Sequence, residues 1–415
     1  MAAPTVPDAA LAVAAERYAA RLTSPEPPPG DRPWISQSLT EGTAGIALLH
    51  IERAHTGRGT WQQAHNWITH AAAGEISADD NTGLYLGAPA IAFILDAAAA
   101  TTGRYRHGLT DLDGHIAKLA HHRVEAAMAR IRRGELPQFR EYDVFFGLSG
   151  IGALLLRRDP GGSALERVLD YLVALTHPLV VDGQELPGWW VVHDPHRQFS
   201  ADYPGGHGNF GAAHGITGGP LALLSQAMRR GITVQGQREA INTICSWLDA
   251  WRQDSAVGPW WPQWITRADL REGRPSQSRP GRPSWCYGTP GIVRAGQLAA
   301  IATGDHHRQQ MYEDAFARCL RDPAQQARIT DAGLCHGAAG LYQTAWRAAR
   351  DATTPALAER LPHLADNLAR RSQPDTDTAS GPGLLEGDAG TALALHTAAH
   401  DTAPTSGWDA CLLIN

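Results

Sequence analysis

One short phrase recurs along the whole chain: two glycines three residues apart, followed by a run of helix formers. Its seven copies read EGTAGIALLH (Gly42, Gly45), LGAPAIAFIL (Gly87, with Ala90 in the second place), FGLSGIGALLL (Gly147, Gly150), HGITGGPLALL (Gly215, Gly218), YGTPGIVRAG (Gly288, Gly291), HGAAGLYQTAW (Gly337, Gly340) and EGDAGTALALH (Gly387, Gly390). The first glycines are separated by 45, 60, 68, 73, 49 and 50 residues. Most intervals hold one further helical stretch and a loop; the candidates are residues 116–132, 164–175, 237–252, 306–320 and 356–371. A single glycine pair is an ordinary turn, but seven in phase organise a fold. Glycine at a helix start permits a tight or left-handed turn and a close approach of neighbouring chain. It also leaves the first amide N–H groups of the helix pointing outwards. Seven helix pairs whose glycine-led members are small and apolar can pack side by side and close on themselves. The expected fold is therefore all-α, an α/α toroid: a double ring of seven helix pairs with its glycine-rich turns around a central cavity, residues 1–415 forming a single domain.

The rest of the sequence agrees with such an architecture and removes several function classes. Hydrophobic residues make up 43% and charged residues 19%, enough apolar surface for a large core. A formal charge of −6 and the lack of any Lys/Arg run leave no footprint for a phosphate backbone, so nucleic acid is excluded as a partner. The N-terminal stretch, with Glu16, Arg17 and Arg21 at helical spacing, reads as an amphipathic first helix rather than a targeting segment. The longest apolar run, 86–95, is stopped by Asp96, well short of the roughly 20 residues a membrane helix needs. No membrane insertion is expected. Few strands are suggested beyond residues 189–192, and segments 25–33, 195–209 and 273–284 read as long loops, the last two directly preceding the fourth and fifth phrases.

The five cysteines, Cys245, Cys286, Cys319, Cys335 and Cys411, are an odd set that suits a reducing, cytoplasmic setting, where clustered thiols serve as metal ligands or reactive groups. Cys411 is fifth from the end, outside a prenylation box. Two of the cysteines directly precede glycine phrases, in Trp285-Cys286-Tyr287-Gly288 and Leu334-Cys335-His336-Gly337. Alone, each would be a buried small hydrophobe. Their shared place in adjacent repeats brings two thiolates and the His336 imidazole toward one point, a ligand set that zinc favours, with three protein donors and an open fourth position. Cys245 and Cys319 fall in outer helices and are expected to be structural. The fourth phrase is preceded by His214, in the segment Asn209-Phe210-Gly211-Ala212-Ala213-His214, and the third by Asp143, four residues ahead of Gly147. A histidine at a helix start on the cavity rim can act as acid or base near neutral pH. A nearby carboxylate could orient it.

The seven phrases together with W-C-Y-G-x-P-G and C-H-G resemble the lanthionine synthetase C (LanC) family of lanthipeptide cyclases over essentially the entire chain. The resemblance implies zinc held by Cys286, Cys335 and His336, with His214 and Asp143 as cavity acid and base. It also implies Arg282 and Tyr287 as catalytic residues and Trp285 as a residue of the substrate cavity, where Asn209 is expected as well. The reaction it implies is Michael addition of peptide cysteine thiols to dehydroalanine or dehydrobutyrine in the same dehydrated precursor peptide, leader plus core. The chain would be a stand-alone cyclase in the cytoplasm, and a cognate dehydratase is a further candidate partner. Ala90 departs from the family pattern and puts only the local turn in question. Competing readings are a LanC-like enzyme that adds glutathione to dehydroamino acids, a prenyltransferase β-type ring, whose zinc site normally includes an aspartate, and a non-catalytic peptide-binding scaffold. Intact Cys286, Cys335, His336 and His214 argue against the scaffold.

Overall fold

The computed structural model describes residues 8–25, 32–373 and 381–415. Of the expected loop 25–33, residues 26–31 lie outside that set, as does the start of the N-terminal stretch. The first helix is Ala9–Arg21, started by Asp8, whose Oδ1 accepts the N–H groups of Ala10 and Leu11 at 3.0 and 3.3 Å.

Each glycine phrase leads into a helix: Thr43–His55, Ala88–Ala99, Leu148–Arg158, Ala222–Arg229, Thr289–Thr303, Ala338–Asp351 and Asp388–His400. These helices are buried almost all round; in Thr43–His55 every residue except Arg53 and His55 is buried. A helix apolar on every side must be covered on every side. The intervening helices show a single buried stripe instead. In Gln237–Trp251 it runs Gln237, Ala240, Ile241, Ile244, Cys245, Leu248, Trp251. The predicted intervening helices appear as Arg106–Arg132, Ser163–Ala174, Gln237–Trp251, His306–Arg321 and Leu361–Arg371. The first extends well N-terminal of its expected start. The last begins later, after a 3₁₀ turn Ala358–Arg360, because Pro362 fits the first helical turn, where its missing N–H costs nothing.

The glycines are required by close approach rather than by left-handed backbone. A Cβ on Gly218 would lie 1.8 Å from the Ala212 carbonyl oxygen, and one on Gly340 1.8 Å from that of Leu334. The loop folds back across the helix start. Its carbonyls also take the first helical amides: Ala338 N–H reaches Asp331 O at 3.0 Å, Ala339 N–H reaches Ala332 O at 3.1 Å and Gly340 N–H reaches Gly333 O at 3.2 Å. These N–H groups therefore do not point outwards as expected; the loop itself satisfies them. The second phrase is built differently. Gly87 has φ +76°, a left-handed conformation, and Ala90 follows inside the helix without conflict.

The chain divides into two compact units, Met1–His115 with Ala327–Ala410, and Ile116–Gln326 with Cys411–Asn415. In the first, Asp388–His400 packs on Ala9–Arg21, Thr43–His55 and Ala338–Asp351. Its buried carboxylates are saturated: Glu52 accepts the Thr405 and Ser406 N–H groups at 3.0 and 2.8 Å, and Asp409 binds Gln343 at 2.7 Å and Arg347 through both oxygens at 2.7 Å. In the second, Thr289–Thr303 packs on Ala222–Arg229 and His306–Arg321, and Leu148–Arg158 on Ser163–Ala174. Its C-terminal strand of chain is held by backbone acceptors: Leu412 O takes the Trp285 indole N–H at 3.0 Å, and Ile414 O takes Arg294 Nε at 2.8 Å.

Two small sheets lie in the second unit. Leu179–Val181 pairs antiparallel with Gln184–Leu186, and His207–Asn209 with Trp264–Thr266, placing Asn209 opposite Trp264. The strand expected at 189–192 reduces to one bridge, Val191 with His207, since Trp190 N–H closes a turn onto Pro187 O at 2.9 Å. The fourth phrase starts its helix with a π-turn, Thr217–Leu221, that contains Pro220, which has no N–H to give a regular ladder. Among the described residues no helix is long and apolar enough to cross a membrane.

Candidate active site and metal centre

Asp143 is fully buried and divides its two oxygens between two tasks. Oδ1 accepts the N–H groups of Phe146 and Gly147 at 2.8 and 2.7 Å, closing the third glycine turn. Oδ2 lies 2.6 Å from Nδ1 of His214, the residue ahead of the fourth. The backbone thus fixes the carboxylate before the histidine meets it. With Nδ1–H directed to Asp143, Nε2 is the ring nitrogen left for other work. The imidazole is sandwiched between Phe139 and Phe145, with ring centroids 4.7 and 4.8 Å away at 28° and 30°. Its side chain stays about a quarter exposed, at 24%.

Tyr287 approaches the same histidine, ring centroids 6.3 Å apart. Its ring lies against the backbone at Gly211, where a Cβ would come within 2.6 Å of it. Trp264 meets it edge-on at 5.9 Å. Asn209, held in its strand, reaches the Tyr287 oxygen through Nδ2 at 3.4 Å and the Nε2 of His207 at 3.3 Å, while its Oδ1 accepts Gly211 N–H at 2.9 Å. Asn209 and Trp285 are both fully buried, so what each contributes passes through the groups it holds. Arg282 is half-buried on the loop before the fifth turn.

Phe139, Phe145, His193 and His207 had no signal in the sequence. His193 donates Nδ1–H to Asp194 O at 2.7 Å and accepts Phe139 N–H on Nε2 at 3.3 Å; His207 donates Nδ1–H to His193 O at 2.7 Å. Burial lowers both imidazoles, His207 to about 4, so they stay neutral behind the site. The pairing of His207–Asn209 with Trp264–Thr266 and the bridge of His207 to Val191 bring these two histidines there. A histidine inside a glycine-rich loop reads no differently from any surface histidine.

Cys286 is buried, with Sγ 3.5 Å from Ser284 Oγ, and its carbonyl oxygen accepts Ala213 N–H at 3.1 Å. Cys335 is half-buried, its N–H on Leu385 O at 2.8 Å. His336 stands beside two carboxylates, Nε2 3.8 Å from Asp331 and Nδ1 3.9 Å from Glu386. Cys335 and His336 are consecutive residues ahead of the sixth glycine phrase, and Cys286 holds the matching place ahead of the fifth. Burial raises the thiols of Cys245, to about 12, and Cys319, which suits neither for a thiolate role and agrees with a structural one.

Nisin biosynthesis protein NisC of Lactococcus lactis subsp. lactis is 24% identical over 367 residues, covering 86% of this chain and 84% of the relative. The solved structure of nisin cyclase superposes with a TM-score of 0.77 at 21% identity, covering 97% of this chain and 96% of that one. The fold class is accordingly all-α, of the α/α toroid type. A family model described as lanthionine synthetase C-like protein matches residues 33–413, nearly the full length, and the chain belongs to the lanthionine synthetase C-like family.

Proposed function

We propose that this chain is a zinc-dependent lanthipeptide cyclase, a single-domain cytoplasmic enzyme that closes thioether rings in a dehydrated precursor peptide. The observation that carries the reading is the pair of cysteine motifs at the same place in adjacent glycine phrases, Trp285-Cys286-Tyr287-Gly288 and Leu334-Cys335-His336-Gly337, in a chain of this family. Two thiolates and one imidazole are a donor set suited to zinc, and three protein donors are the number that leaves a position for substrate. Membership in the family supports the same substrate class, and a cognate dehydratase would supply it.

When bound, zinc supplies a fourth position at which a peptide thiol loses its proton at neutral pH. The chemistry then required of the chain is proton management. The thiol sulfur bonds to the β-carbon of dehydroalanine or dehydrobutyrine, the double bond opens, and the α-carbon gains one proton. The sum is an addition with nothing released. His214, oriented by Asp143 through Nδ1, presents Nε2 as the group that takes the thiol proton or returns one to the α-carbon. Tyr287, its ring centroid 6.3 Å from that of His214, would be a second polar group for the reacting atoms. Arg282, as a fixed cation, would stabilise the negative charge that develops on the enolate oxygen. Phe139 and Phe145 hold the imidazole plane.

The test is metal content and cyclisation measured on the same preparation. The proposal expects one zinc per chain and zinc-dependent loss of free thiol in a dehydrated peptide, with uncatalysed addition subtracted. Faster addition to free glutathione than to the peptide's own thiols would favour the glutathione-adding reading instead.

A further inference from the structure

Four helices of the first unit, Ala9–Arg21, Ala338–Asp351, Leu361–Arg371 and Asp388–His400, pack on one another and leave a cavity of about 370 Å³ between them. Its wall is largely apolar, with Leu11 and Leu361 on it, and its charged lining is three carboxylates, Asp8, Asp366 and Asp401, against one cation, Arg350. Arg350 is already engaged: it bonds the Asp401 carboxylate and, at 3.0 Å, the Asp401 carbonyl, and its guanidinium lies 4.5 Å over the Trp346 ring. Asp401 ends its helix in the left-handed conformation, φ +49°, with Oδ1 also taking the Trp346 indole N–H at 2.8 Å. Asp8 commits Oδ1 to the N–H groups of Ala10 and Leu11. One oxygen of Asp8, one of Asp401 and both of Asp366 are left without a partner among the described residues.

The cavity also holds a buried polar group. Tyr342 lines it and is only 3% exposed, yet its hydroxyl bonds to nothing among the described residues. Burial, and then the Asp401 carboxylate, push its ionisation up against the opposing pull of Arg350, so the phenol stays neutral and its oxygen stands close to both groups. Buried hydroxyls are ordinarily bonded, because each gives up its bonds to water. Here the missing partner is one that a ligand can supply.

We propose that this cavity binds a basic side chain of a peptide, arginine or lysine, with its aliphatic stem on Leu11 and Leu361 and its cationic head between Asp366 and the Tyr342 oxygen. Long basic side chains bury their stems on apolar surface in just this way. A metal ion matches less well: among the described residues the three carboxylates form no group close enough to ligate one. A volume at the lower end of ligand clefts also leaves room for a neighbouring apolar residue of the same peptide. The inference does not rest on the cyclase reading, since the cavity holds none of the residues named there and affinity is read without turnover.

The test is calorimetric titration of the full-length protein with two acetylated, amidated pentapeptides, Leu-Ala-Arg-Ala-Leu and its twin with neutral citrulline in place of arginine. The arginine peptide is expected to bind with Kd below about 1 mM, and the citrulline peptide about fivefold more weakly or worse. Asp366 is exposed and unpaired, so Asp366→Asn should leave thermal melting in place while weakening the arginine peptide about fivefold; Tyr342→Phe should weaken it about threefold. Raising salt from about 50 mM to about 500 mM should weaken the arginine peptide and spare the other. Equal binding of the two peptides, or no binding of either, overturns the proposal. So does an affinity for the arginine peptide that neither substitution changes, which would seat it elsewhere on the chain. Binding that appears only once residues 1–7 are removed would give the cavity to the chain's own N-terminal segment and overturn the proposal as well.

Discussion

Asp143 Oδ2 meets His214 Nδ1 at 2.6 Å while the other oxygen of the same carboxylate ties down the third glycine turn. One side chain thus closes a turn through one oxygen and, in the proposed mechanism, orients His214 through the other, and two substitutions separate these roles. Asp143→Asn retains an acceptor for the Phe146 and Gly147 amides but offers an N–H to Nδ1, which forces the wrong tautomer. Cyclisation should fall roughly 10²- to 10⁴-fold with little change in thermal melting. Asp143→Ala leaves both amides without their acceptor and should in addition lose about 1–3 kcal/mol of stability. Rate assays and denaturation curves on the two proteins check this. Equal destabilisation by both would remove the division of labour.

Metal binding and proton transfer should come apart in the same way. Cys335→Ala is expected to lose most of its zinc while keeping its helical circular dichroism, because the helices are held by apolar burial rather than by a metal. His214→Ala should keep zinc near one per chain and slow cyclisation by roughly 10²- to 10⁴-fold. Zinc analysis beside the rate of thiol loss separates the two. Loss of metal from His214→Ala would make His214 a ligand or a structural prop.

The glycine turns give a stability prediction with an internal control. Gly340→Ala places a methyl 1.8 Å from the Leu334 carbonyl oxygen, backbone that cannot step aside, and displaces the turn carrying Cys335 and His336. A loss of ~3 kcal/mol, at the upper end of overpacking, is expected, together with reduced metal content. Gly114, exposed in Arg106–Arg132, has nothing within 4 Å of its hypothetical Cβ, so Gly114→Ala should stabilise by about 0.5–1 kcal/mol. Urea midpoints of the two variants should move in opposite directions.

Buried histidines set an acid limit. His50, His207 and His396 are each lowered from 6.5 to about 4, chiefly by burial and, for His50 and His396, further by neighbouring cationic groups. Between these values the unfolded chain binds protons that the folded chain refuses. Their contribution is therefore complete above about pH 6.5 and is lost as pH falls toward 4, at about 1.4 kcal/mol per pH unit for each. His50→Phe preserves the parallel stack on Trp67, centroids 5.4 Å apart, and removes one proton site. It should flatten the fall in stability between pH 6.5 and 4.5 by roughly a third. Denaturation series at pH 7.5, 5.5 and 4.5 would show the change in slope, and an unchanged slope would place the acid sensitivity elsewhere.

The sequence by itself determined the helical repeat, because the information is local. Glycine at Gly218 or Gly340 is demanded by a carbonyl only six residues earlier, and the period of apolar residues is written in each helix. Shared position in that repeat was enough to single out Cys286, Cys335 and His336, and to set His214 and Asp143 apart from other polar residues. Tertiary structure alone decided what those groups meet. His214 and Asp143 are separated by 71 residues, and which oxygen faces which nitrogen depends on Oδ1 being claimed by the third turn. The sandwich of Phe139 and Phe145 depends on a short 3₁₀ turn, Phe139–Glu141, and a loop that carry no periodicity. The expected strand at 189–192 dissolved into a single bridge, while the unforeseen pairing of His207–Asn209 with Trp264–Thr266 placed Asn209 under Tyr287. Strand pairing and side-chain burial are contacts between segments distant in sequence, so no local pattern encodes them; helix period and turn sterics are contacts within a few residues, and those the chain spells out.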